Sequence, residues 1–589
     1  MKKKTDRKQQ LKITGRRVVP GMSMGPAFIF YQKSFKLTDF SLTTDDPDRE
    51  ITTLKEAIKN VVRLLENSRT LSTDTSDQSF SGIFDAQIAL LEDEFLVKEV
   101  ISYINEKTCS ASYAIFIVFQ QKKEQLLHRG DDYFKDRAFD IHDVMTKLLN
   151  VMTGERVEHH LSEPSIIFAD TLSPSDTIHF PRDKVLGFVT DTGGITSHTA
   201  IMSRALHIPY IISTQPLNRI VTNGDYILLD GHKGQIFINP DKETTRTFKS
   251  ARKKYEAAYT RLCSDSRLPA VTTDGVEIEV LANVELIPEM EEALTLGADG
   301  IGLLRTEAVF LEAARIPSEQ EQIKIYRKFS EGMAGMPVVV RTIDAGGDKI
   351  ITPDANWREE NPFLGWRAIR FCLDHPGIFK TQLRAILQAN TKKNLKIMIP
   401  MISCLQEILE TRKLLESAKR ELEQEHVRFY DQIELGIMVE TPSAALMADK
   451  FGAEVDFMSI GSNDLTQYTL AVDRTNSKIA HLFNDLHPAV LTLMQKTIQA
   501  GERNRNQVSI CGELAGNPEA IAILIGLGFT TLSLSPSMIP IIKKVIRSLS
   551  LRDCSGLCEN LLTASSAMEV RIEARKFLDQ RLPAYQGLI

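Results

Sequence analysis

Long apolar runs, paired cysteines and a strong net charge are all missing from this sequence. No apolar stretch reaches the ~18 residues that a membrane-spanning helix needs, so membrane insertion is not expected. The lysines of the opening MKKKTDRKQQLKITGRR are followed by no apolar signal core, so export is not expected either. That basic run reads as a solvated tail. Cysteine is limited to seven scattered residues, an odd number; this fits a reducing cytoplasm and argues against a disulfide framework. Cys554 and Cys558 stand one helical turn apart with no second ligand pair nearby, and so read as helix-face residues rather than zinc ligands. A formal net charge of −6 gives no reason to expect nucleic-acid binding.

What is present is the composition of a globular protein, with 43% hydrophobic and 25% charged residues. A chain of 589 residues is long enough for several domains. Residues 11–31 read as a strand, a Pro-Gly turn and a second strand. Ile51, Leu54, Ile58, Val61 and Leu65 then repeat at three and four, the spacing of an amphipathic helix. Similar patterns over 80–105, 110–128 and 131–152 predict about four helices, inserted after the opening strands. Between 165 and 240, SIIFAD, LGFVTD, IPYIIS, DYILLD and QIFIN read as strands, and SHTAIMSRAL as a short helix with a polar start. A charged helix over 241–262 follows and reads as a connection between domains.

Beyond residue 275 eight short apolar strands alternate with helical patterns, at 276–285, 300–307, 338–347, 396–401, 435–442, 456–464, 508–516 and 530–536. Apolar strands with helical crossovers imply a parallel sheet covered on both faces, and eight units fit a closed (β/α)8 barrel. An open doubly wound sheet is the alternative, but no GxGxxG follows the first strand.

Such a barrel carries its chemistry at the C-terminal ends of its strands. There the sequence puts Arg305, Arg341, Glu440, Asn463, Asp464 and Cys511, with Arg367 and Arg474 in the loops that follow. One arginine at a strand end is usually a surface ion pair. Four of them on one face suit a multiply charged anion, because guanidinium matches phosphate and carboxylate bidentately. Glu440 and Asp464 are a pair of hard oxygen donors of the kind that Mg²⁺ takes alongside substrate phosphate and water. The expected ligand is therefore a small phosphorylated acid bound with Mg²⁺. Cys511 alone would read as a buried apolar residue; beside a phosphate site its thiol can serve as a proton donor.

His198 in DTGGITSHTA has no second ligand for a metal within reach. Gly193 and Gly194 permit a tight turn, and a helix starting at about Ser197 puts His198 in its first turn, where free N–H groups and the helix dipole favour an anion. That setting suits a histidine that itself becomes phosphorylated as a covalent nucleophile. The bland reading is an ordinary core or surface histidine.

GGITSHTAIMSRAL, GIGLLRTE, VRTIDAGGDK, ENPFLGWRAIR, MVETPSAA, SIGSNDLTQYTLAVDR and CGELAG together resemble the phosphoenolpyruvate-utilising enzymes. Within them the pattern is similar to enzyme I of the bacterial sugar phosphotransferase system. The resemblance runs in one order over about residues 12–580. It implies a multidomain α/β protein: a swivelling phosphohistidine domain (12–31 and 153–240), an inserted helical subdomain for the phosphocarrier HPr (32–152), a linker helix (241–270) and a phosphoenolpyruvate-binding, dimerising (β/α)8 barrel (271–589). It implies that His198 accepts the phosphoryl group and that Thr177 hydrogen-bonds this histidine. Arg305, Arg341, Arg367, Asn463 and Arg474 would bind phosphoenolpyruvate, Glu440 and Asp464 would bind Mg²⁺, and Cys511 would protonate the enolate to release pyruvate. A cytoplasmic homodimer that hands the phosphoryl group to HPr, for sugar uptake or regulation, is the expected context.

Three positions depart from the enzyme I pattern: Ile195 and His142 where arginine is common, and Gln87 where histidine is common. The first bears on phosphohistidine stability, the other two on carrier affinity. A pyruvate phosphate dikinase or phosphoenolpyruvate synthase shares the histidine and the barrel, but needs an ATP-binding domain, and no glycine-rich phosphate loop stands in residues 1–152. A regulatory homologue with little catalysis is the other alternative.

Overall fold

The computed structural model describes residues 10–583 apart from 31–34, 75–80, 128–131, 155–160, 193–197, 206–207, 214–215, 218–219, 312–315, 345, 347–360, 362, 475 and 477–478. Gly193, Gly194, Ile195 and Ser197 lie outside the described residues, as does the basic tail 1–9. Two compact units divide the chain, Met1–Lys254 and Tyr255–Ile589.

In the first unit β1 (Leu11–Val19) and β2 (Met22–Phe30) are followed by helices α1 (Pro47–Asp74), α2 (Ser81–Glu92), α3 (Glu94–Lys107), α4 (Ala111–Leu127) and α5 (Asp132–Thr153). The chain then supplies β3 (Ser165–Ala169), α6 (Pro174–His179), β4 (Val185–Thr190), α7 (His198–Ala205), β5 (Tyr210–Ser213), β6 (Tyr226–Asp230), β7 (Gln235–Ile238) and α8 (Lys242–Asp265). The periodicity over 80–105 runs through what is in fact a break. Asp93 leaves the helical conformation, and its carboxylate accepts from the N–H groups of Phe95 and Leu96, capping a new helix. The bundle therefore has five helices among the described residues where about four are read from the sequence. Leu54, Val61, Phe84, Val100, Ile104, Ile115, Val144 and Leu148 form its core, and Met202 of α7 reaches into the same cluster.

The seven strands close into a small barrel in the order β1-β5-β4-β3-β2-β6-β7. Strands β2, β3, β4 and β5 are parallel, whereas β1, β6 and β7 join antiparallel. β1 serves both halves: Thr14 pairs with Gln235 and Gly15 with Ser213. A Cβ on Gly15 would stand 2.5 Å from the carbonyl oxygen of Ile212, so the crossing needs a glycine.

The second unit is built on β8 (Glu279–Val284), β9 (Ile301–Leu304), β10 (Val338–Arg341), β11 (Leu395–Ile399), β12 (Leu435–Val439), β13 (Phe457–Ile460), β14 (Gln507–Ile510) and β15 (Thr531–Leu534). All neighbours are parallel, and β15 pairs with β8 to close an eight-strand barrel. The open-sheet alternative is thereby ruled out. Strand residues such as Val338, Val340, Ile397, Ile437 and Ile460 are buried against the surrounding helices. Leu303, Val339, Met398, Met438, Phe457 and Cys511 form a separate cluster, contributed by successive strands, as expected for a filled barrel interior. Cys554 and Cys558 are buried on the helix Leu551–Leu561.

Candidate active site at the barrel mouth

β9 and β10 end side by side, and Arg341 at the end of β10 joins residues that follow the two strands in one ion-pair network. Arg341 reaches Glu307 Oε1 at 2.8 Å and Asp344 Oδ2 at 2.8 Å. Arg367, delivered by the loop after β10, reaches the other Asp344 oxygen at 2.7 Å. The Asp344 side chain is only 3% exposed. Burial works against its charge, but Arg341 and Arg367 outweigh that and hold its carboxyl below the usual range. The Nε atoms of both arginines are buried with no hydrogen-bond partner among the described residues. Buried unsatisfied donors are costly, and two of them on neighbouring guanidiniums mark a place for an anion.

Glu440 stands at the end of β12, almost fully buried. One of its oxygens accepts from the Met401 N–H at 2.6 Å. Burial, then Asp464 and Asp344, push its carboxyl well above the usual carboxylate range. A carboxyl so placed gains from a nearby cation. Gly461 makes the approach possible: a Cβ there would meet Glu440 Oε2 at 2.9 Å. Helix Ser462–Leu470 begins at that point and carries Asn463 and Asp464. Among the described residues no three His, Cys, Asp or Glu side chains converge into a complete metal cage. Two acidic donors on adjacent strand ends match the small protein share of Mg²⁺ coordination, the rest coming from phosphate and water. The residues therefore fit Mg²⁺.

Cys511 follows β14, and its Sγ lies 3.6 Å from the Ile460 carbonyl. Burial pushes its thiol up to about 11, against the smaller opposing effects of Ser459 and Arg341. It remains a protonated thiol at neutral pH, the form a proton donor requires. Asn283 holds the same turn by donating to the Cys511 carbonyl at 2.9 Å.

The rest of the mouth is more open. Asn463 donates to Glu513 Oε1 at 3.1 Å and accepts from the Glu513 N–H at 3.0 Å. Arg474 lies 3.7 Å from the same, largely exposed, carboxylate. Arg305 lines a cavity of about 380 Å³ with Asn283, Glu285, Gly512, Glu513 and Ser535. The mouth thus brings together Arg341, Arg367, Glu440, Asp464 and Cys511 in its interior, with Arg305, Asn463 and Arg474 at the rim. Glu307 and Asp344 stand in the quoted motifs, but their role as arginine partners was not assigned from sequence. Glu285, pushed up to about 7 by burial and by Glu307, gave no signal at all.

In the first unit α7 begins at His198. Its neighbour α6 is capped by Ser173, with Asp176 answering in a reciprocal capping box. Thr199 ties the two together by donating to the Leu172 carbonyl at 2.7 Å. Thr177 is buried on α6 and donates to the Ser173 carbonyl at 3.0 Å. Gln87 is enclosed in the bundle, where it donates to Asp143 at 2.9 Å. His142 on α5 is pushed down to about 4, first by burial and then by Lys123.

Three family models match the chain in order: the N-terminal domain of PEP-utilising enzymes over residues 14–137, their mobile domain over 161–234 and their PEP-binding domain over 260–551. A phosphoenolpyruvate-protein phosphotransferase of Haemophilus influenzae is 38% identical over 568 residues, covering 96% of this chain and 99% of that one. The protein of the same name from Buchnera aphidicola subsp. Baizongia pistaciae is 37% identical, again over 96% of this chain and 99% of its own. That of Geobacillus stearothermophilus is 39% identical over 90% and 92%. With its domain models matched in order and its length shared almost end to end, the chain belongs to the phosphoenolpyruvate-protein phosphotransferases of the PEP-utilising enzyme family.

Proposed function

We propose that this protein transfers the phosphoryl group of phosphoenolpyruvate to His198, releases pyruvate, and passes the group on to a histidine of a carrier of the HPr type. The observation that carries this reading is the mouth of the eight-strand barrel. Two arginines whose buried Nε donors have no partner among the described residues, two carboxylates at adjacent strand ends and a protonated buried thiol share one site.

In this reading Arg305, Arg341, Arg367 and Arg474 hold the phosphate and carboxylate of phosphoenolpyruvate, and Asn463 orients it. Phosphoryl transfer rests on positioning and charge neutralisation. Glu440 and Asp464 would hold Mg²⁺, which when bound offsets negative charge on the phosphate oxygens. A ring nitrogen of His198 forms a bond to phosphorus as the bond from phosphorus to the enol oxygen breaks. The enolate left behind takes the Cys511 S–H proton on its terminal carbon and leaves as pyruvate; the thiolate is reprotonated from water. Thr177 is assigned to hold His198 in position.

His198 must visit both the barrel mouth and the carrier. We accordingly assign residues 12–31 and 153–240 to a swivelling phosphohistidine domain, 32–152 to carrier docking, 241–270 to the hinge and 271–589 to substrate binding and homodimerisation. No helix among the described residues is long and apolar enough to cross a membrane. We assign the protein a cytoplasmic role at the head of sugar uptake or its regulation. The test is to incubate the protein with Mg²⁺, phosphoenolpyruvate labelled in its phosphate, and an HPr. Label on the protein, then on HPr, with pyruvate formed in step, is the expected outcome. Label taken from ATP but not from phosphoenolpyruvate would overturn the reading in favour of a dikinase.

A further inference from the structure

Tyr468 lies on the helix that carries Asn463 and Asp464, five and four residues further along. Its hydroxyl donates to the backbone carbonyl of Phe363 at 2.5 Å, across 105 residues of sequence. Phe363 belongs to the loop after β10 that delivers Arg367, and the Arg367 guanidinium carbon lies 5.9 Å from the centre of the Phe363 ring. The same hydroxyl lies 3.6 Å from Met401 Sδ, and the Met401 N–H is the group that holds Glu440. One phenol therefore touches the arginine-bearing loop and the Glu440-holding turn from the helix that bears the second acid.

We infer that Tyr468 is a positioning residue: its hydroxyl tethers the Phe363–Arg367 loop to the Asn463–Asp464 helix and so sets the distance between the anion-binding arginine and the paired carboxylates. This inference rests on the proposed phosphoenolpyruvate chemistry of the same site. The stretch is also held to the barrel by the Arg367–Asp344 ion pair and by Ala368 and Ile369, both buried in the barrel core. Arg370 donates to the carbonyls of Leu364 and Gly365, which closes the loop on itself. Gly346 and Arg367 form an isolated bridge, which joins it to the end of β10. Of these described contacts only the Tyr468 bond reaches the helix of the acids. Burial pushes the phenol up from its ordinary value, against the lowering effect of Arg367, so the hydroxyl keeps its proton and stays a donor. A tether of this kind acts on ligand affinity, because Arg367 is assigned to hold the charged groups of phosphoenolpyruvate and forms no bond to the reacting atoms.

The variant Tyr468→Phe removes the hydroxyl and keeps the ring. Two measurements decide the matter. Hydrogen exchange in the full-length protein without substrate should show faster exchange of the amides over 363–370, with those of β10 and β12 unchanged. In the phosphorylation assay the KM for phosphoenolpyruvate should rise roughly 3- to 10-fold, the range of one lost hydrogen bond, while kcat changes less. In an Arg367→Ala background the same substitution should add no further rise, since coupled residues are not additive. Unchanged exchange over 363–370 overturns the inference. So does a full, independent KM effect in the Arg367→Ala background, or a loss of kcat with KM unaltered. Wild-type protein that takes no phosphoryl group from phosphoenolpyruvate sinks the proposed function instead, and the exchange measurement still judges the tether.

Discussion

At the scale of single residues the barrel mouth separates groups by protonation state. Asp344 is held ionised by two arginines, whereas Cys511 is held neutral by burial. The thiolate is the reactive form of cysteine. A thiol at about 11 is a poor nucleophile at neutral pH, and its reactivity rises only as pH approaches that value. Alkylation at pH 7.5 should therefore modify the exposed Cys404 first, with Cys511 reacting about a hundredfold or more slowly, as peptide mass mapping over time would show. Replacing Cys511 by Ala should slow pyruvate formation by about 10²- to 10⁴-fold, the usual worth of a general acid, with phosphoenolpyruvate affinity changed little. A raised KM with unaltered kcat would remove Cys511 from the chemistry. Part of this site is legible in the sequence, because Arg305, Arg341 and Glu440 sit at or just past an apolar run, as in VVVR or LGIMV. The pairing of Arg341 with Glu307 is not legible, since it depends on which strand ends lie side by side. Tyr468 is hidden for the same reason: its partner is a backbone carbonyl far away in sequence.

At the scale of elements the break between α2 and α3 shows where periodicity misleads. The apolar residues Leu90, Leu91, Leu96 and Val100 keep a helical rhythm across Asp93, so the pattern alone cannot reveal the cap. The strands were easier, because four or five consecutive buried residues between turns leave little alternative. Closure of the first unit into a seven-strand barrel was not legible, as it rests on β1 pairing with two partners at once. Helix α7 has its own dependence on packing: Met202 is fully buried within the helical bundle. Met202→Ala should destabilise this unit by about 2–5 kcal/mol through lost burial and the cavity left behind. Urea unfolding followed by circular dichroism would measure it; a change under 1 kcal/mol would mean that the α7–bundle contact contributes little.

At the scale of the whole molecule the chain is two compact units divided within α8. Units with separate cores unfold separately unless their interface is large. Calorimetry should resolve two transitions. In a His198→Ala variant, which cannot turn substrate over, phosphoenolpyruvate with Mg²⁺ should raise only the transition of the barrel unit, by about 2.7 kcal/mol at a ligand concentration of a hundred times Kd. A single transition that moves as one would contradict the division of labour proposed for the units. The central claim is that His198 carries the phosphoryl group, and mass analysis after brief exposure to phosphoenolpyruvate and Mg²⁺ tests it most directly. The account predicts a gain of one acid-labile phosphoryl group on the peptide containing His198, and no gain in His198→Ala. An unmodified wild type, or an equal gain in the variant, would contradict it.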